Sequence, residues 1–172
     1  MADLFDVADA IKAMAEGFEG EMLACLGEHA TEAETAVRDQ IYSGLSGDDS
    51  LLEPTYDNDP YFDDPTSPWY KRAADYKGWK MSITPPSKGW LIDTPPRPAH
   101  VPNLYIDGTF HSTIYAQMNG DQLSVKVSGG DSEAIVAKWG DNILRLGSYA
   151  IDFFNYMILS PRIETFFAKC GW

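Results

Sequence analysis

The sequence predicts an α+β protein: a long N-terminal helix, a small antiparallel sheet with a β-hairpin, and C-terminal helices, joined by a long Pro/aromatic-rich arm. Three observations carry this reading. Apolar residues recur every three or four positions over residues 3–45. Alternating apolar and polar residues flank an Asn-Gly pair near residue 119. Proline punctuation separates those two regions. With 172 residues, 44 % of them apolar, the chain is long enough for one domain with a true core. We read residues 1–172 as that single domain: 1–45 helical, 46–103 the extended arm, and 104–172 the hairpin plus C-terminal helices.

In the first segment Val7, Ile11, Met14, Phe18, Met22 and Cys25 form one stripe, which resumes with Ala33, Val37 and Ile41. Gly17, Gly20 and Gly27 each weaken a helix interior by about 1 kcal/mol relative to Ala. The segment is therefore one long bent helix or two helices broken near Gly27. The stripe is either ordinary core or a helix–helix contact between subunits. Ser43 to Asp49 is a turn by composition.

Ten of the eleven prolines fall between Pro54 and Pro102, a density that forbids long regular elements there. Aromatic residues interleave with them and must bury somewhere. The expected form is an extended excursion with a short helix over about residues 68–79. Long loops of this kind are usually functional, and contact with a neighbouring molecule is the expected function. Tyr56, Tyr61, Phe62, Trp69, Tyr70, Trp79 and Trp90 are the candidate contact residues.

Leu104-Tyr105-Ile106 reads as a short strand ending at Asp107-Gly108. Phe110, Ser112, Ile114, Ala116 and Met118 form one face of a second strand. Asn119-Gly120 suits a type I′ turn, and Leu123, Val125 and Val127 form the inward face of the return strand. Ser132 is the expected N-cap of a helix over 133–139 with Gly140 just past its end. Ser148 is expected to cap a helix from 149 to about 159. Ser160-Pro161 should break it, with Pro161 opening a last helix through Lys169.

The net charge of −13 argues against wrapping nucleic acid and against an anionic membrane surface. No stretch is apolar and long enough to span a bilayer, and no secretory signal opens the chain. The charge is uneven: residues 3–49 carry 12 acids against Lys12 and Arg38, which places most of the excess in the first quarter. Glu16, Glu19, Glu21, Glu28, Glu32 and Glu34 form the candidate acidic face. Such a face is either a solvated surface that keeps the protein in solution or one that repels or imitates DNA.

Other candidate chemistry is weak. Asp57, Asp59, Asp63 and Asp64 fail calcium-loop spacing, because Tyr61 and Phe62 stand at the fifth and sixth positions. They read instead as turn openers. His29, His100 and His111 have no zinc spacing. His111 reads as a satisfied surface histidine; a triad with Ser112 and Asp107 lacks the nucleophile elbow. Cys25 and Cys170 form no CxxC pair and read as buried thiols. The glycine motifs lack P-loop and dinucleotide spacing. We expect no catalytic residues, no metal, no cofactor and no enzymatic activity.

The segment "VPNLYIDGTFHSTIYAQMNGDQLSVKV" (101–127) resembles the central block of tailed-phage head–tail joining and tail-completion proteins, a family of virion morphogenesis proteins. Their Gly-(Leu/Phe)-x-x-Ser-Ile step is similar to Gly108 through Ile114 here, and "ILSPRIETFF" (158–167) is similar to their closing stretch. The chain departs from the pattern in its longer arm and in carrying Lys138-Trp139-Gly140 where the family has a Gly-Thr pair. The resemblance implies a virion part without an active site, made in the host cytoplasm. It would form a ring or plug with other copies and with portal, adaptor or tail proteins, and DNA would pass without tight binding. Two alternatives stand beside it. One is a small acidic phage-encoded inhibitor that mimics DNA before a host defence nuclease; the other is an enzyme with a scattered active site.

Overall fold

The structure, a computed structural model, describes residues 4–170 and is an α+β fold. The first segment forms two helices, α1 (Leu4–Glu28) and α2 (Ala30–Tyr42), separated at His29, whose φ of −107° and ψ of 25° leave the helical region. The break follows Gly27, whose Cα faces the Met118 side chain of the hairpin (a Cβ there would lie 3.5 Å from Met118 Cγ).

Helix α2 is the central element. Ala33, Ala36, Val37 and Ile41 are fully buried on it. Val37 and Ile41 pack with Leu52, Val101, Phe110 and Ile114, while Ala33 joins Cys25, Phe154 and Ile158 in a second cluster. The α1 stripe divides along its length. Phe18 packs edge-to-face on Phe166 and tilted on Phe167, with ring centroids 5.5 and 6.0 Å apart, and Cys25 is core, whereas Val7 and Ile11 are exposed.

The sheet is the expected hairpin: β1 (Ile114–Asn119) and β2 (Gln122–Val127), antiparallel, with Ile114 opposite Val127 and Asn119 opposite Gln122. That register puts the two-residue turn at Gly120-Asp121, one position later than the Asn-Gly pair suggests. Gly120 has φ +65° and Asp121 does not have positive φ, the sign pattern of a type II′ turn rather than I′. Leu123, Val125 and Val127 face the core as expected. The free edge of β1 is covered by α2: Arg38 donates to the carbonyls of His111 and Ile114, and Glu34 accepts from the Ala116 amide.

Several sequence expectations are corrected. Leu104-Tyr105-Ile106 is not a strand; Leu104 has φ +51°, a left-handed conformation incompatible with a ladder. Thr109–Ser112 is a helical turn, α4, because the Asp107 carboxylate accepts from the Thr109 amide and the Ser112 hydroxyl bonds back to the Thr109 carbonyl. Strand β1 therefore starts only at Ile114. Helix α5 (Gly130–Trp139) begins at Gly129, with Ser132 inside it and hydrogen-bonded to Thr113, so Ser132 is not the cap. Helix α6 (Ser148–Phe153) is opened by Asp49, whose carboxylate accepts the Ser148 amide at 3.0 and 3.1 Å. Ser160-Pro161 does not break the chain's last helix. A wider π turn over Phe154–Leu159 runs into α7 (Ser160–Lys169), and the Ser160 hydroxyl binds the Asn155 carbonyl there.

The extended arm is the largest correction. Residues 46–103 wind back onto their own chain, with the helix α3 (Ala73–Ile83) and a 3₁₀ turn at Pro60–Phe62. Leu52 and Val101 belong to the main core, and Ile92 packs with Ala36 and Ala150. Proline removed the backbone ladder but not the need to satisfy buried polar groups, and side chains do so instead. Asp39 of α2 accepts the amides of Leu91 and Ile92 at 2.5 and 3.2 Å. Arg97, 2 % exposed, donates to the carbonyls of Val101 and Thr84 at 2.6 and 3.1 Å.

Gly44 marks how closely this segment is drawn in. Its φ is +73°, and a Cβ would lie 2.6 Å from Val101 Cγ1. Gly44→Ala combines left-handed strain with overpacking and should cost about 3 kcal/mol of unfolding free energy. A urea denaturation midpoint equal to wild type would contradict this packing.

Candidate functional site

Where residues 56–79 fold back over residues 102–110 and α5, they enclose an aromatic cleft of about 440 Å³. Tyr76 of α3 is its hub, with ring centroids 5.1 to 5.3 Å from Tyr56, Phe62, Trp69 and Trp79. Trp69 and Trp79 stack at 5.7 Å with their planes 27° apart. The cluster forms because the tight turns opened by Asp59 and Asp64 fold residues 59–72 back beside α3: Asp59 accepts from the Tyr61 amide and Asp64 from the Thr66 amide. Edge-to-face pairs of this kind add about 0.5–1.5 kcal/mol each beyond area burial.

Of the seven predicted contact residues, five line the cleft: Tyr56, Tyr61, Phe62, Trp69 and Trp79. Tyr56 and Phe62 are buried within it and available to nothing else. Tyr70 and Trp90 lie outside, Tyr70 partly exposed and Trp90 93 % exposed. Sequence reading missed Tyr76 as hub, and also Tyr105 and Trp139 as walls. Their signal was present in Tyr76 lying three residues before Trp79, which puts both on one helix face.

Most ionisable groups of the cleft are engaged with one another or with backbone; the Asp131 carboxylate at its rim has no such partner among the described residues. Lys138 Nζ binds the Asp59 carboxylate at 2.7 and 3.0 Å and lies 4.3 Å from the Trp139 ring centroid. Lys80 is 1 % exposed and donates to the Tyr105 carbonyl. Burial, with help from the Arg97 charge, pushes its pKa down to about 8. Burial likewise raises the Tyr56 phenol well above its ordinary range, and lifts Tyr76 to about 12. The cleft therefore offers a ligand chiefly aromatic surface. Leu104, held in the left-handed region, is part of its wall, and non-glycine residues in that conformation cluster at functional sites.

The acids of the 57–64 cluster are drawn apart: Asp57 pairs with Lys77, Asp63 with Lys71, and Asp59 with Lys138. Among the described residues no group of three or more His, Cys, Asp or Glu side chains converges as a metal site. His111 is buried rather than on the surface, with Nε2 3.0 Å from the Asn103 carbonyl. Ser112 and Asp107 both bond to Thr109 instead of approaching it. Cys25 is buried, and burial raises its thiol pKa; Cys170 is exposed, contrary to expectation.

The six glutamates of the acidic face separate into two groups. Glu16 and Glu19 are exposed. Glu21 and Glu28 both pair with Arg162 of α7, Glu34 pairs with Arg38, and Glu32 lies 3.2 Å from His29. No described helix is long and apolar enough to cross a membrane. No family model matches the chain, and neither a curated protein nor a solved structure does.

Proposed function

We propose that the protein is a structural part of a tailed-phage particle, of the head–tail connector or tail-completion type. In this reading it joins copies of itself and neighbouring virion proteins into a ring or plug around the DNA path and catalyses no reaction. The observation that carries the reading is the amount of large apolar side chain left outside the fold. Trp90, Tyr156, Met157, Ile106 and Ile11 are each more than half exposed, at 93, 72, 67, 57 and 52 %. Part of this surface is grouped: Val7 and Ile11 lie four residues apart on one face of α1, and Tyr156 and Met157 are consecutive. It is such grouped apolar surface, rather than singly exposed residues, that favours a seated neighbour. The resemblance of residues 101–127 to head–tail joining proteins supports the same reading.

The nuclease-decoy alternative requires carboxylates in regular, outward rows. With Glu21 and Glu28 turned to Arg162 and Glu34 to Arg38, the first two helices supply that less well. An enzyme of scattered residues requires ionisable groups free to react, and Lys138, Asp59 and Lys80 of the cleft are already partnered.

Particles purified from a producing host should contain the chain at a fixed multiple per particle by quantitative mass spectrometry. Deleting its gene should yield heads and tails that fail to join. Infectious particles of normal yield lacking the chain would reject the proposal.

A further inference from the structure

Trp90 stands out among the tryptophans of the described chain, because the other three line the aromatic cleft. It is not exposed by looseness. On one side Gly89 donates to the Thr94 hydroxyl at 3.1 Å, and Thr94, fully buried, is tied to the Ser43 hydroxyl at 2.7 Å. On the other side Leu91 and Ile92 donate to Asp39, and Ile92 is core. A Cβ at Gly89 would collide with the Ile92 carbonyl, so the turn is closed as tightly as glycine permits. The indole is thus presented on a fixed backbone, so binding need order only the side chain, at about 0.5–1.5 kcal/mol, and not the loop. A rigid, fully solvated tryptophan is the form of an interface anchor.

We propose that Trp90 of one copy of this chain inserts into the aromatic cleft of the next. The inference rests on the ring-forming reading and names its contact. Three features of the cleft suit this occupant. Its walls are chiefly aromatic, and Lys138 and Asp59 within it neutralise each other, so its interior takes a flat, uncharged group. The indole nitrogen of Trp139, a residue of the cleft wall, is buried without an acceptor among the described residues, so the wall carries an unmet donor beside the space the loop would fill. Asp131 at the cleft has no ion-pair partner among the described residues, and the loop carries Lys88 two residues before Trp90, in an exposed pair with Asp93 that it could exchange for the cleft acid. No residue of the loop lines its own chain's cleft. Knob and hole are therefore distinct surfaces, and their pairing is head-to-tail, the kind that closes into rings. A buried tryptophan contributes roughly 150–250 Å², a fraction of the roughly 800 Å² per partner of a stable interface. It anchors the contact, and the exposed Tyr61 and Ile106 beside the cleft extend it.

The test uses full-length protein in analytical ultracentrifugation. Wild type should self-associate with concentration. Trp90→Ala should weaken association at least roughly thirtyfold, the loss of a strong anchor, and Trp90→Phe should restore part of it. Ile106→Arg, at an exposed position, should block the hole with equal effect. Mixed together, the Trp90→Ala and Ile106→Arg chains should form a one-to-one dimer and nothing larger, since only one knob and one hole remain. Association that survives Trp90→Ala, a mixture that stays monomeric, or a wild type monomeric at every concentration overturns the contact. Each of these leaves the virion reading standing if the chain still copurifies with particles. Trp90-dependent rings from a chain absent from particles would do the reverse.

Discussion

Asp39→Ala should lower the unfolding free energy by about 3 kcal/mol. The carboxylate is 9 % exposed and accepts two backbone amides, from Leu91 and Ile92. Truncation leaves both donors without a partner in a site that water scarcely reaches, and each such group costs about 1–3 kcal/mol. Asp39→Asn keeps one acceptor oxygen and should recover part of the loss. Because those amides fix the loop that carries Trp90, the alanine variant should also increase hydrogen exchange across residues 89–94. Urea midpoints of wild type and Asp39→Ala that coincide would show that the segment is held by other contacts.

Acidification should produce the second large effect. His111 is neutral in the fold and donates from Nε2 to the Asn103 carbonyl. Burial pushes its pKa down to about 4; the Asn103 carbonyl opposes this, and the charges of Arg38 and Lys80 reinforce it. The unfolded chain takes up the proton near pH 6.5. Between about pH 6.5 and 4 the unfolded state therefore binds more protons, and stability falls as pH falls through that window. The contribution is fully present above pH 6.5 and about 3 kcal/mol smaller below pH 4. His111→Gln retains a donor without the titration. Its stability should change less than that of wild type over the same window, measured by urea unfolding at pH 7, 5.5 and 4. Parallel curves for the two proteins would refute the assignment.

The parts legible in the sequence are those fixed by local rules. The hairpin followed from alternation on both sides of a glycine-containing turn, although the turn slipped by one residue with a different type and the first strand begins only at Ile114, past the helical turn that holds Phe110 and Ser112. The α2 core face followed from Ala33, Val37 and Ile41. What escaped was set by contacts between residues far apart in the chain. Prolines at 54–102 announce the loss of a backbone ladder, but not that Asp39 and Arg97 would replace it. They therefore read as an arm where there is a folded layer. Pro161 likewise signals a helix end, yet a π turn in front of it dispenses with the missing amide. His111 looked solvated because its partner is a carbonyl eight residues earlier, which no periodicity reveals. Of the candidate site, the aromatic residues were legible. The distinction between Tyr56 and Phe62, used up in the core, and Trp90, left in solvent, was not.

The two rims of the small sheet are unlike. Side chains from α2 occupy the peptide groups along the outer side of β1. Beyond β2, a groove of about 790 Å³ runs along residues 122–127 toward α5. A further strand therefore meets less obstruction beside β2 than beside β1. Two molecules meeting through β2 would join their hairpins into one four-stranded sheet whose outer strands are both β1, each already capped by α2 at Ile114 and Ala116.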